Sequence, residues 1–164
     1  MKKLVEHHLV GHCRNELALL VEGFHDVIPR ALLQRCGLTA IELELVVAGL
    51  PGELDVAEWR KHAEFRLNGH GREIENWFWA AIERMSPEDR AKLLSFTCGT
   101  SRLPFGGFAA IRPAFQVDVG GNPAHLPLGR TCANLLELPP YESPEVMMVS
   151  LHIATHSDPG FGFM

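Results

Sequence analysis

The side chains best suited to covalent chemistry in this sequence are its four cysteines, at positions 13, 36, 98 and 132. They are widely spaced and form no C-x-x-C pair. This pattern predicts free thiols in a reducing compartment, because disulfide frameworks and tetrahedral zinc sites use paired cysteines. Cys13, Cys36 and Cys98 fall in or at the end of predicted helices, where a buried structural thiol is the usual explanation.

Cys132 has different neighbours in the sequence. It follows a loop in which Gly129 gives backbone freedom, Arg130 a positive charge and Thr131 a hydroxyl group. A nearby cation favours the thiolate, which is the nucleophilic form of cysteine. These residues make Cys132 a candidate nucleophile, and taken alone they leave open that it is one more structural thiol.

Two histidine pairs have the i, i+4 spacing that places both rings on one face of a helix, where they could bind a metal ion. The pairs are His8 with His12 and His152 with His156. Cys13 and Glu16 are near the first pair, but neither pair has an acidic or cysteine ligand in an obvious third place. We therefore expect surface or core histidines, no metal site and no cofactor. A metal-binding helical protein is the alternative that these pairs leave open.

Composition narrows the classes of partner. The net charge of −5 argues against sequence-independent nucleic-acid binding, which needs a basic face. No run approaches the roughly 20 apolar residues of a membrane span, and the N terminus has no signal-peptide run. The 46% hydrophobic content is enough for a packed core. The sequence therefore predicts an intracellular protein of the cytoplasm, with the nucleus as a second compartment, and neither a nucleic-acid nor a membrane partner.

The elements that must position Cys132 begin with helices, which dominate the first hundred residues. Helix starts are predicted at Pro29, Thr39, Asp55 and Ser86, and helix ends at Gly37, Gly49 and Gly99. The clearest amphipathic pattern comprises Ile74, Trp77, Phe78, Ala81, Ile82 and Met85. The aromatic run 77–79 is expected in the core, because rings at helical spacing usually bury area.

After Gly99 the pattern changes from helices to strands. Residues 115–119 alternate apolar and polar side chains, which predicts a half-buried strand, and 133–138 form a short apolar run that predicts a buried one. Ser143 and Pro144 open a last helix that runs to His156. The order predicts an α+β fold, in which a helical N-terminal segment precedes a small sheet flanked by helices. Cys132 would then lie where a loop meets a strand, a common place for reactive groups.

The segment Gly49–Gly52 is the best candidate for a domain boundary, because it contains two glycines and a proline between two capped helices. A plain helix–helix turn and a hinge are both compatible with its composition.

The residues around Cys132 resemble the active-site segment of HECT-type ubiquitin ligases. Residues 126–141 read LPLGRTCANLLELPPY, and the family pattern is L-P-x-x-H-T-C-F-N-x-L-x-L-P-x-Y. Further blocks resemble the family in the correct order along the chain. They are Gly23-Phe24 with Ile28-Pro29, Glu42–Leu45 before Gly49, Trp77–Trp79, Leu94–Pro104 with Gly107-Phe108, and the closing Gly160–Met164.

The resemblance implies a covalent role for Cys132. It would receive ubiquitin as a thioester from a ubiquitin-conjugating enzyme, and a lysine of a protein substrate would then attack that thioester. Thr131, Arg130 and Asn134 would support the nucleophile. Phe161 matches the tail phenylalanine that arranges the catalytic lobe, and Asp158 and the Met164 carboxylate are candidate bases for the incoming lysine.

The sequence departs from the family pattern in three ways. Arg130 stands where the family usually has histidine, and Ala133 where it usually has phenylalanine. The family domain is also more than twice as long, and the part absent here includes the docking site for the conjugating enzyme. On this resemblance, residues 1–49 are the end of the family's N-terminal lobe, 50–53 are the interlobe hinge, and 54–164 are the C-terminal lobe with the catalytic cysteine.

Two functions of different class follow from these residues. The first is ubiquitin ligase activity through a thioester on Cys132. The alternative is a non-catalytic module that binds ubiquitin or another partner, or an inactive truncated fragment of the family domain.

Overall fold

The computed structural model describes residues 13–50 and 52–157. The chain divides into two compact units, Met1–Leu43 and Glu44–Met164. The described residues form α-helices and one four-stranded sheet, which confirms the predicted α+β class. Within these residues, no helix is long and apolar enough to cross a membrane.

The elements are numbered in chain order. The helices are α1 (Arg14–Val27), α2 (Arg30–Cys36), α3 (Ala40–Ala48), α4 (Val56–His62), α5 (Glu73–Arg84), α6 (Pro87–Cys98) and α7 (Pro144–His156). The strands are β1 (Glu64–Arg66), β2 (Gln116–Val119), β3 (Leu128–Arg130) and β4 (Leu135–Leu138). Two 3₁₀ turns span Gly107–Ala110 and Thr131–Ala133.

The first unit contains α1, α2 and the start of α3. The predicted capping box at Thr39 is confirmed, because the Thr39 N–H donates to Glu42 at 2.8 Å and the Glu42 N–H donates to Thr39 Oγ1 at 3.2 Å. Gly37 ends α2 in the left-handed conformation, as predicted. Pro29 was predicted to be the first helical residue. It is instead the residue before the helix, and α2 begins one position later, at Arg30, because the Pro29 ψ of 140° is extended.

No residue of the first unit is buried in the part that the structure describes, residues 13–43. Cys13 and Cys36 are both exposed, so the prediction that they are buried structural thiols is wrong. The physical reason is that α1 and α2 bury no face, so a thiol on them has no core to enter.

Local caps define the helices of the second unit. Asp55 accepts hydrogen bonds from the N–H groups of Ala57 and Glu58, and Ser86 accepts one from Asp89. Ser143 does the same for α7. Each satisfies backbone donors that a first helical turn leaves unpaired, which is why these starts were predictable from the sequence.

The core lies between the sheet and the helices of the second unit. Trp59 stacks on Phe108 with ring centroids 4.9 Å apart, and Trp79 meets Trp59 edge-on at 6.5 Å. Phe78 and Trp79 are buried as predicted, whereas Trp77 is only partly buried at the margin of the core. The last helix contributes Met147 and Leu151, both fully buried.

The sheet has strand order β1-β2-β4-β3. β1 and β4 both pair parallel to β2, and β3 pairs antiparallel to β4. The alternation predicted around 115–119 is confirmed, since Val117 and Val119 are buried. The predicted strand over 133–138 begins only at Leu135, because the two preceding residues belong to a turn. β1 and β3 were not predicted: each has three residues and no buried side chain, so neither carries an apolar pattern.

The predicted hinge begins beside a close backbone contact within the second unit. The Leu50 N–H donates to the Leu103 carbonyl at 2.8 Å, and a Cβ at Gly49 would lie 2.6 Å from the same oxygen. The two compact units divide at residues 43 and 44, inside α3, and Pro51 lies outside the described residues. The hinge at 50–53 stays a prediction.

Candidate functional site

Cys132 lies on a four-residue turn between two paired strands. Arg130 of β3 is directly opposite Leu135 of β4, so residues 131–134 close the antiparallel pair. Residues 131–133 form a 3₁₀ turn, and the Cys132 side chain is exposed. The turn thus presents a thiol to solvent on a backbone that is fixed at both ends.

Asn134 ends the turn and attaches it to the rest of the sheet. It adopts the left-handed conformation with φ of 50°, which asparagine tolerates better than most residues. Its side-chain Nδ2 donates to the Pro113 carbonyl at 2.7 Å, and its own carbonyl accepts from the Gln116 N–H at 2.8 Å. Gln116 also donates through Nε2 to the Ala133 carbonyl at 3.2 Å. These hydrogen bonds of Asn134 and Gln116 anchor the end of the turn to the neighbouring strand and loop.

The strand before the turn packs directly on α6. A Cβ at Gly129 would lie 2.1 Å from the Phe96 carbonyl oxygen, far inside van der Waals contact. Thr131 lies beside the end of the same helix, since a Cβ at Gly99 would be 3.6 Å from the Thr131 Cβ. The Thr131 hydroxyl forms no hydrogen bond with any residue that the structure describes. These contacts with α6 therefore fix the position of the turn relative to that helix.

Arg130 forms an ion pair with Glu137 across the β3–β4 pair. The Glu137 carboxylate accepts a hydrogen bond from the Arg130 guanidinium and thereby raises the pKa of that guanidinium above its ordinary value. Both side chains are partly exposed, at 55% and 39%. The positive charge that the sequence places two residues before the thiol is therefore partly neutralised by Glu137.

A groove runs along one side of the turn. It has a volume of about 440 Å³ and its lining includes Asn134, Cys98 and Arg112. A second groove, of about 470 Å³, is lined by Phe96, Gly129 and Thr131 together with residues of α6 and α7. The turn is therefore accessible from two sides.

Cys98 is the other cysteine of the second unit, and it differs from Cys132 in its burial. It is mostly buried at the end of α6, and burial raises its pKa from 9.0 to about 12. Because the thiolate is the reactive form, this shift disfavours nucleophilic reactivity of Cys98 near neutral pH. This agrees with the prediction of a structural thiol at this position.

The histidines of α7 have a third potential ligand that the sequence did not reveal. Asp89, in the first turn of α6, lies beside His152 and His156. The premise that neither histidine pair has an acidic residue in a third place is therefore wrong for this pair. The reason is that the contact is tertiary: Asp89 and His152 are 63 positions apart in the sequence, and no local sequence pattern predicts a contact between two helices.

Several residues to which the sequence assigned a candidate role lie outside the described residues. They are His8 and His12, the tail residue Phe161, and the candidate bases Asp158 and the Met164 carboxylate. Conversely, sequence reasoning missed Glu137 and Gln116 as residues that hold the turn. Glu137 stands in the segment that resembles the family, but its pairing with Arg130 depends on the register of two strands.

Fold and site together define an α+β lobe that presents an exposed cysteine on a turn at the edge of its sheet. A family model described as HECT-domain (ubiquitin-transferase) matches residues 1–164. The chain is 37% identical to the E3 ubiquitin-protein ligase NEDD4 of Homo sapiens over 165 aligned positions, covering 96% of this chain and 12% of that protein. It is also 37% identical to the E3 ubiquitin-protein ligase pub1 of Schizosaccharomyces pombe over 86% of this chain and 19% of that protein.

A third relative is the E3 ubiquitin-protein ligase HECW1 of Homo sapiens, 40% identical over 87% of this chain and 9% of that protein. The chain belongs to the HECT-domain family, as its resemblance to HECT-type ligases indicated. It spans less than a fifth of the length of each of these curated relatives.

Proposed function

We propose that Cys132 accepts the C terminus of ubiquitin as a thioester from a ubiquitin-conjugating enzyme and passes it to a lysine of a protein substrate. The observation that carries this proposal is the exposure of Cys132 on an anchored turn within a chain of the HECT-domain family. The relatives are named as E3 ubiquitin-protein ligases, so the proposal extends their activity to this chain.

The chemistry suits a thiol. In the first step the Cys132 thiolate attacks the carbonyl carbon of the donor thioester, a new C–S bond forms, and the donor cysteine leaves as a thiolate. In the second step a substrate lysine amine attacks the new thioester, an amide bond forms, and the Cys132 thiolate is released while the amine proton passes to solvent. Exchange between two thioesters is nearly isoenergetic, so the acyl group stays activated until the amine arrives. A few per cent of thiolate near neutral pH is enough.

The neighbouring residues would have positioning roles. Asn134 would hold the turn through Pro113, and Thr131 would contact the end of α6. Arg130 would act on the negative charge that develops during transfer less strongly than its type suggests, because it is paired with Glu137. The role of Phe161 in arranging the lobe stays a prediction.

The partners follow from the same proposal. They are ubiquitin, a charged conjugating enzyme and a protein substrate, and each stays a proposal because the chain spans only a small part of its relatives. We propose that residues 1–49 form the end of the N-terminal lobe, 50–53 the hinge and 54–164 the catalytic lobe. A cytoplasmic location stays a prediction.

The test is transfer from a charged conjugating enzyme. We expect the purified chain to form a ubiquitin adduct that reducing agent cleaves. Cys132→Ala should form none, and Cys132→Ser should form at most an oxygen ester that survives reduction. The matched control is Cys98→Ala, which removes a buried thiol of the same unit and should leave the adduct intact.

An adduct that persists in Cys132→Ala would overturn the proposal, since another residue would then be the acceptor. So would the absence of any adduct at saturating donor concentration with a chain that is folded by circular dichroism. Binding of free ubiquitin under those conditions would favour the non-catalytic module.

A further inference from the structure

A cluster of potential metal ligands connects α6 to α7, away from Cys132. Asp89 stands in the first turn of α6, and His152 and His156 stand one turn apart in the last turns of α7. One ligand atom of each residue can be chosen so that all three atoms lie within 4.8 Å of one another. All three residues belong to the second compact unit.

The separations approach those of a tetrahedral site. Two ligand atoms on a tetrahedral zinc ion lie about 3.3–3.5 Å apart, given bonds of about 2.0–2.2 Å to nitrogen and oxygen. His156 Nε2 and Asp89 Oδ1 are already 3.1 Å apart. The imidazole rings of His152 and His156 have centroids 3.9 Å apart and are tilted by 31°, and a ring nitrogen of His152 lies within 4.8 Å of the ligand atoms of the other two residues.

The ring of His156 is oriented as a ligand should be. Its Nδ1 lies 2.9 Å from the His152 carbonyl oxygen, and a carbonyl can only accept, so Nδ1 carries the proton. Its Nε2 lies 3.0 Å from Lys92 Nζ and 3.1 Å from Asp89 Oδ1. Nε2 is therefore the ring nitrogen that faces Asp89. A backbone carbonyl on the distal nitrogen is the usual partner of a metal-binding histidine.

Asp89 is held in a similar way. The Ser86 hydroxyl donates to Asp89 Oδ2 at 2.8 Å, which leaves Oδ1 directed at His156.

We propose that Asp89, His152 and His156 form a binding site for a borderline divalent transition-metal ion, of which Zn²⁺ is the best fit. Two imidazoles and one carboxylate match the ligand preference of zinc, whereas Ca²⁺ and Mg²⁺ prefer sets made of oxygen alone. Three protein ligands leave a fourth position for water. Asp89 and His152 also line a groove of about 300 Å³ with Met148 and Arg84, so that position has access to solvent.

Lys92 is the competitor for this site. Its ammonium lies 3.0 Å from His156 Nε2, and its charge opposes a divalent ion at the same place. Lys92 also pairs with Glu88 at 3.0 Å, so it can leave Nε2 and keep an acidic partner. Two kinds of variant are therefore expected to have opposite effects: removing a ligand should weaken metal binding, and removing Lys92 should strengthen it.

The experiment is a titration of the metal-free chain of residues 1–164 with ZnCl₂. Zinc binding is measured by isothermal titration calorimetry and by NMR of the histidine imidazole groups. We expect the His152 and His156 resonances to shift with one equivalent of zinc. Since loss of an outer-shell partner already costs metal sites roughly 10–100-fold in affinity, Asp89→Asn, His152→Ala and His156→Ala should each weaken binding at least about tenfold. Lys92→Met should tighten it.

The matched control is His70→Ala, which removes an exposed histidine far from the cluster in sequence and should leave the affinity unchanged. Circular dichroism of each variant distinguishes loss of a ligand from loss of the fold. If a histidine variant fails to fold, Asp89→Asn is used to test the loss of a ligand. The proposal is overturned if folded ligand variants bind zinc as tightly as the unchanged chain. It is equally overturned if zinc shifts only the histidines of residues 7–12.

Discussion

The thiol of Cys98 has a pKa of about 12 because it is mostly buried, whereas Cys132 is exposed on its turn. The same residue type therefore differs in exposure at two positions of one unit. At Cys98, burial desolvates the thiolate and so disfavours the charged form. The sequence signalled it only indirectly, through a helix at one position and a Gly-containing loop at the other.

The raised pKa of Cys98 has a consequence for the pH dependence of protein stability. The folded-state pKa of Cys98 is raised above its ordinary value of 9.0, so folding favours the protonated thiol. Its contribution is fully present below pH 9, and it is lost as the pH rises from 9 toward 12, where the folded protein must bury a thiolate or unfold.

We expect the free energy of unfolding of the unchanged chain to fall relative to that of Cys98→Ala as the pH is raised from 8 to 10.5. Urea unfolding at a series of pH values measures this difference, and all other titrating groups cancel between the two chains. Parallel curves over that range would contradict the prediction.

At the scale of elements, the contact between β3 and α6 determines where the cysteine turn lies. Gly129 has a partner strand on one side and the Phe96 carbonyl on the other, and the space between them has no room for a methyl group. Because the clash would be with backbone, it cannot be relieved by a side-chain rotation.

We predict that Gly129→Ala destabilises the second unit by about 1–3 kcal/mol, the usual range for overpacking. The matched control is Gly120→Ala, where an added Cβ would meet nothing within 4 Å and the backbone has no left-handed φ. That control should be neutral or slightly stabilising, because alanine restricts the unfolded chain. Urea unfolding of the two variants measures both, and equal stabilities would argue against the contact.

The elements also differ in how far the sequence predicts them. The helices capped by Thr39, Asp55, Ser86 and Ser143 were predictable, because each cap is a local interaction between residues two or three apart. β1 and β3 were not, because strands of three residues depend on the partners that pair with them.

The candidate site likewise combines features that a local sequence pattern predicts with features that depend on distant partners. The sequence singled out Cys132 because its segment resembles the family pattern, and its catalytic role stays a prediction. The pairing of Arg130 with Glu137 and the approach of Asp89 to α7 were not predictable, because each depends on how separate elements are registered in space.

At the scale of the whole molecule, the burial is distributed unevenly along the chain. Every buried hydrophobic side chain in the described residues lies at Leu54 or later. The first unit instead exposes large apolar side chains, among them Leu19, Leu20 and Val27. The stability of the second unit should therefore depend little on residues 1–43.

We predict that a chain of residues 44–164 unfolds within about 5 °C of the full chain, a shift that corresponds to roughly 1 kcal/mol for a domain of this size. The control is a chain of residues 64–164, which also loses α4 with the fully buried Trp59 and should not fold. Thermal unfolding by circular dichroism distinguishes these outcomes. A midpoint much lower for 44–164 would mean that the first unit contributes to the core.

The position of α7 in the chain has a consequence for synthesis. Met147 and Leu151 complete the core from the last described helix, which packs against α5 and α6, so those two helices lack this partner until the ribosome has added residues through α7. Until then the apolar side chains that α5 and α6 bury in the finished fold lack part of their packing partners, and nascent chains in that condition are prone to aggregate. Pauses in translation between β4 and α7 would lengthen this vulnerable interval, and chaperones that bind emerging apolar segments would matter most there.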